Sequence, residues 1–351
     1  MTVSPWWSAI FTVPLVGLLV AVVVRKALRD RAEPRRARRR AMLDDALRRH
    51  DVTPLARAAT GGLWQQADVL AALEHGAPAD VAAVHTALAE TSAGAHVEVF
   101  LRAELRSRSP SRRGRAVLLA GTLRLRALQH GVARLHADPH PDVRLAACTA
   151  LERYATSDSA RHLVTALAAG RIGPSRIVER LAHPWAVGPL LALLPTIADG
   201  RVRAQLHRAL GLAGDPLALP ALRLAALGGT DEERICAVRA LGQLGDPAAQ
   251  AEVLTSLTDP VWEVRAQAAT AAPAVAGAAA VGTLRVAMGD HAWWVRANAA
   301  DALARLGPVG RAALQAVASG PDRYAAERAQ EALWTTQAAD ASPPARRDEA
   351  A

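Results

Sequence analysis

The chain has 351 residues, of which 51% are hydrophobic, 21% charged and 3% aromatic, with two cysteines. That apolar share supports a sizeable core and excludes a disordered or collagen-like chain, while two cysteines exclude a disulfide scaffold. The formal net charge of +9 is local, because residues 25–40 (RKALRDRAEPRRARRR) carry nine basic and two acidic side chains, leaving about +2 for the rest of the chain.

In chain order, the first element is a run of nineteen uncharged residues, Trp6 to Val24. As a helix it spans roughly 28 Å at ~1.5 Å per residue, enough for a hydrocarbon core ~30 Å thick. Trp6 and Trp7 stand at one end, where indole rings favour the headgroup region. A cleaved signal peptide would need basic residues before the apolar run and a small-residue cleavage site after it. Here Arg25 and Lys26 follow it, behind Val22-Val23-Val24. The reading is an uncleaved anchor over residues 1–25 and a basic juxtamembrane segment over 26–40. The positive-inside rule then places the N-terminus outside and everything after the anchor in the cytoplasm of the cell, held at its inner membrane. Arg25 to Arg40 also offer anionic lipid a contact. Cys148 and Cys236 would be reduced thiols in such a compartment.

Residues 41–110 are helical in pattern, as in Leu63 to Glu74 and Ala79 to Glu90. They are expected to be divergent repeats or an N-terminal cap. From there a 31-residue period governs the chain: Arg203, Arg234, Arg265 and Arg296. Ala209, Ala240, Ala271 and Ala302 follow six residues later; Leu206, Ala237, Ala268 and Ala299 follow three later. Val202, Glu233, Val264 and Val295 precede the arginines, and Val143-Arg144 with Ala147 and Ala150 fits the same template. Offsets of three, six and ten share one helical face. Asp138-Pro139, Asp215-Pro216, Asp246-Pro247 and Asp259-Pro260 read as N-cap Asp before a first-turn Pro, with Gly214, Gly245 and Gly289 at the preceding helix ends. Weaker copies are expected around Arg115, around Arg176 and from Tyr324 to Leu333. Two amphipathic helices per period cannot bury their apolar faces alone, so they must stack.

DPHPDVRLAACTAL (138–151), DPVWEVRAQAATAA (259–272) and GDHAWWVRANAADAL (289–303) resemble HEAT repeats, and the short spacing resembles the bacterial class named for phycobilisome lyases. The resemblance implies an all-α fold, an α-solenoid of stacked antiparallel helix pairs over 111–337 behind one transmembrane helix, with residues 338–351 as a disordered tail. It also implies a polar ladder between repeats, made by Asp138, Asp259 and Asp290 with Arg144, Arg203, Arg234, Arg265 and Arg296. Ile197 and Gly228 occupy two further Asp positions, which predicts interruptions.

No HExxH, Gly-rich phosphate loop, GxSxG or CxxC is present. His130, His136 and His140 straddle a helix end without a Cys or carboxylate at ligand spacing, so no metal, cofactor or catalytic residue is assigned. Trp262 and Trp293 recur three residues before Arg265 and Arg296, with Trp294 adjoining. Two readings compete for these rings: packing into the neighbouring repeat, or an aromatic patch that anchors a partner. The expected function is a non-enzymatic, membrane-tethered scaffold for a membrane-associated protein partner. The resemblance suggests companions of membrane glycosyltransferases or envelope-polysaccharide machinery. The alternatives are a bilin lyase/isomerase, disfavoured by the anchor and the missing nucleophile, and a nucleic-acid solenoid, disfavoured by the near-neutral body.

Overall fold

The computed structural model describes Pro34 and residues 37–341. The expected anchor over 6–24, with Trp6, Trp7, Arg25 and Lys26, lies outside the described residues, as do most of the basic segment and of the tail. Among the described residues the chain is helical throughout, with no strand. No single described helix is long and apolar enough to cross a membrane; the bent pair Pro174–Leu181 and Pro184–Thr196, broken by 112°, passes on length and composition alone. The helices form two compact units that divide between Tyr154 and Ala155.

In the first unit, α1 (residues 37–48), α2 (Val52–Ala59), α3 (Leu63–His75), α4 (Pro78–Glu90) and α5 (Ser92–Glu104) precede a pair of stacked helices, α6 (Pro110–Thr122) and α8 (Pro141–Tyr154). A short helix, α7 (Gln129–Arg134), lies between those two in sequence. In the second unit, α9 (Ser157–Ala168), α10 (Pro174–Leu181) and α11 (Pro184–Leu193) lead into a regular series. Its inner helices are α12 (Gly200–Ala213), α14 (Asp231–Leu244), α16 (Trp262–Val275), α18 (Trp293–Arg305) and α20 (Arg323–Ala341), and each packs on the next. The alternating helices are α13 (Leu219–Gly228), α15 (Gln250–Ser256), α17 (Val281–Ala287) and α19 (Gly307–Ala318).

The repeat columns explain this stacking. Leu206, Ala237, Ala268 and Ala299, with Ala209, Ala240, Ala271 and Ala302, are buried between successive inner helices. Of the residues ten after the arginines, Ala213, Leu244 and Leu306 are only half-buried and Val275 is buried. Small residues let the backbones approach closely. A Cβ on Gly121 would sit 2.5 Å from the Ala150 Cβ, and one on Gly211 2.5 Å from that of Ala240. The same joint recurs where a Cβ on Gly242 would sit 2.6 Å from that of Ala271, so it occurs in both units.

The turn signals divide into two kinds. Asp215 and Asp246 cap 3-10 turns at Pro216–Ala218 and Pro247–Ala249, accepting from the amides of Leu217 and Ala248. Asp138 and Asp259, expected as N-caps, stand outside the helices that follow, which begin at Pro141 and Trp262. Their carboxylates hold the amides of His140 and Val261 and remain open to an arginine. Gly214 and Gly245 end α12 and α14 at φ of 68° and 65°, where a Cβ would be strained. Gly289 is not in that left-handed region; Gly307 is.

Candidate functional site

The arginine of each repeat lies in the first turn of an inner helix and works in two directions. Its Nη1 turns back to the loop entering its own helix. Arg144 donates to the Asp138 carbonyl at 2.9 Å, Arg203 to Ile197 at 2.7 Å, Arg265 to Asp259 at 2.7 Å and Arg296 to Asp290 at 2.7 Å. A main-chain carbonyl serves at Ile197 as well as at an Asp, so this half of the contact survives the missing acid.

The other edge of the guanidinium reaches the next repeat as a fork. Arg234 donates Nε and Nη2 to Asp259 Oδ2 and Oδ1 at 2.8 and 2.9 Å. Arg265 does the same to Asp290 at 2.6 and 2.9 Å. Burial opposes ionisation of Asp290, but the Arg265 bonds and the Ala292 amide hold its pKa below the ordinary value. Paired charges with their lone pairs satisfied are the geometry in which such a contact stabilises rather than costs.

At the predicted interruption, Gly228, the rung is made by another residue. Arg203 forks onto Glu233 Oε1 and Oε2 at 2.6 and 2.9 Å, and Glu233 also closes a capping box with Thr230. The Arg203 bonds lower the Glu233 pKa to about 2, against a smaller opposing effect of burial. Glu233 stands in the column occupied elsewhere by Val202, Val264 and Val295, so it resembles a core position in the repeat pattern. In the first unit the rung belongs to Arg113, which forks onto Asp138 with both bonds at 2.8 Å. The expected register at Arg115 is therefore corrected by two residues: Arg115 donates to Gln66 at 3.1 Å. Arg144 closes no rung, since Ala169 stands 25 residues on and its Nε has no partner. Arg296 meets Pro321 at that distance, and its guanidinium lies 5.8 Å from the centre of the Tyr324 ring instead.

The aromatic residues share this register. Trp262, Trp293 and Tyr324 are 31 residues apart, at the first turns of α16, α18 and α20. They are 40%, 51% and 68% exposed, and Trp294 is 57% exposed. Trp293 and Trp294 meet edge to face, with centroids 4.7 Å apart, and the Arg328 guanidinium covers Trp293 at 5.6 Å. Each such cation–π contact is worth roughly 0.5–1 kcal/mol at an exposed site and fixes the ring without burying it. The rungs at Asp259 and Asp290 hold the loops entering α16 and α18, and so set where Trp262 and Trp293 emerge; Tyr324 stands one step beyond the last rung.

Chemistry-bearing groups are sparse. Cys148 is buried and Cys236 half-buried, neither is in a disulfide, and burial pushes the Cys236 thiol up. Among the described residues no three His, Cys, Asp or Glu side chains converge as a metal site.

The family model of HEAT repeats matches residues 187–272 and 251–334, so HEAT repeats are present across most of the second unit. No curated protein matches the chain. Among solved structures, an engineered protein is 19% identical, with 87% of this chain and 96% of that chain covered and a TM-score of 0.35. Human deoxyhypusine hydroxylase is 20% identical over 85% of this chain and 98% of its own, at 0.31. Kap95p, in its complex with RanGDP, is 12% identical over 81% of this chain and 46% of its own, at 0.46. At these scores neither the hydroxylase's activity nor Kap95p's partner transfers to this chain.

Proposed function

We propose that the chain is a non-enzymatic protein-interaction scaffold whose contact surface is the aromatic register Trp262, Trp293, Trp294 and Tyr324. The observation that carries this reading is that the rings recur in step with the repeat and remain exposed. Core aromatics would be covered, whereas large rings held open beside arginines have the composition of interface hot spots.

We place the scaffold at the cytoplasmic face of the cell membrane. The support is the uncharged run Trp6 to Val24, followed by nine basic residues in the next sixteen. Tethering restricts the search to one surface and raises the effective concentration of membrane partners. A membrane glycosyltransferase or envelope-biogenesis complex is the partner class proposed, with anionic lipid met by Arg25 to Arg40.

The test is cross-linking in cells, followed by capture from detergent-solubilised membranes with wild type and Trp293→Ala/Trp294→Ala. The reading expects a partner recovered by wild type and reduced more than tenfold by the variant. Equal recovery by both would remove the aromatic surface from the account.

A further inference from the structure

A second surface lies in the first unit, outside the ladder and the aromatic register. A recess of about 410 Å³ opens between the end of α5 and α7, lined by Arg102, Leu105, Arg106, Leu128, His130 and Arg134 among others. No carboxylate lines it. Arg102 and Arg106 are one helical turn apart, as are His130 and Arg134, so two basic pairs face the same space.

Two acids of the same unit are already committed. Glu104 is held by Arg112 and Asp138 by Arg113. Among the described residues no hydrogen bond or ion pair holds the side chains of Arg102, Arg106 or Arg134. Arg102 and Arg134 occupy the last turns of α5 and α7, where carbonyl dipoles favour a cation. That accounts for their charge but leaves the guanidinium donors unused. The floor is different in kind: Leu105 and Leu128 are buried beneath the arginines. Like charges gathered over an apolar floor repel one another, and an anion that enters relieves that repulsion while meeting forked donors.

We propose that this recess binds a phosphate monoester, with Arg102, Arg106 and Arg134 on its oxygens and the leucine floor under the adjoining carbon atoms. Its volume is at the small end of ligand sites, fitting a headgroup or small metabolite rather than a polymer. A lipid headgroup and a soluble phosphate share this chemistry, and the experiment separates them.

The full chain in detergent is titrated calorimetrically with inorganic phosphate, glycerol 3-phosphate, dioctanoyl phosphatidic acid and dioctanoyl phosphatidylcholine. Saturable binding of the phosphate probes is expected, with at least a tenfold loss in Arg106→Gln/Arg134→Gln. A control, Arg48→Gln/Arg57→Gln, removes the same charge from outside the recess and should retain binding. Phosphatidic acid binding more than tenfold tighter than glycerol 3-phosphate assigns a lipid headgroup; equal affinities assign a soluble phosphate. No saturable binding of any phosphate probe at millimolar concentration overturns the proposal. Equal loss in both double variants does so too, because the attraction would then be general charge. Unfolding curves accompany each variant, and the exposed positions predict unchanged midpoints.

Discussion

The two units use the same packing joint but differ in their polar contacts. Gly121 against Ala150 in the first unit repeats the approach of Gly211 to Ala240 in the second. Yet the described residues of the first unit hold one forked rung, Arg113 to Asp138, while the second holds three in succession: Arg203 to Glu233, Arg234 to Asp259 and Arg265 to Asp290. Close packing therefore suffices to stack helices. The ladder does something further: its last two rungs fix the loops entering α16 and α18, where Trp262, Trp293 and Trp294 are exposed, and Tyr324 follows one step beyond the last rung.

The comparison is sharpest at the shared joint, where the largest effect is expected. Gly211→Leu and Gly121→Leu each force a side chain into an occupied space and should cost about 3 kcal/mol, read as a lowered urea midpoint. A large cost at Gly211 and none at Gly121 would mean that the two joints are not equivalent.

Removing a rung should cost less and act locally. Arg234→Ala leaves the Asp259 carboxylate half-buried without its fork, a loss of about 2 kcal/mol. Hydrogen exchange should quicken in α14 and α16 but not in α6 and α8, and Arg113→Ala should give the reverse. Arg48→Ala breaks an exposed pair with Asp45 and should cost under about 0.5 kcal/mol.

Acid should weaken the ladder's second unit in two stages. Burial lowers the His207 pKa to about 4, from 6.5. The unfolded chain therefore takes up this proton first, and stability present above pH 6.5 declines as pH falls toward 4. Between pH 6.5 and 5 the loss from His207 should be about 1–2 kcal/mol, and His207→Leu should remove that share of the slope, leaving the share of His85, whose pKa burial also lowers. Below pH 4.5 the unfolded carboxyl of Glu233 protonates before the folded one, so a second decline should begin and persist in that variant. Unfolding midpoints measured across pH 7 to 3 decide both. The rings should matter less to stability than to binding: Trp293→Ala/Trp294→Ala loses the Arg328 contact and should cost about 1 kcal/mol while reducing partner recovery more than tenfold.

Much of this was legible because one period governs both packing and polar contacts. The Arg and Ala columns from 203 to 302 identify the inner helices and their buried face without coordinates. Three features escaped for separate physical reasons. Arg113 lies 31 residues before Arg144, but the richer apolar spacing around Arg115 masks it. Glu233 replaces a loop Asp from inside the helix, at a position that is elsewhere Val. Tyr324 continues the Trp262–Trp293 step, although its own repeat lacks the Asp and ladder Arg that would draw attention to it. The basic recess follows no period, since it is made where non-repeating helices meet, and sequence offers no spacing that joins Arg102 to Arg134. Asp138 and Asp259 look like Asp215 and Asp246 because all four precede Pro; only the helix start, two residues later after the first pair, separates a ladder acid from a cap.

Hydrogen exchange on the captured complex tests the central claim most directly. The account predicts that the partner protects residues 259–265, 290–297 and 321–326, the three successive entries to α16, α18 and α20, in both wild type and the Arg106→Gln/Arg134→Gln variant. Protection confined to other surfaces, with those three segments exchanging as in the free protein, would contradict it.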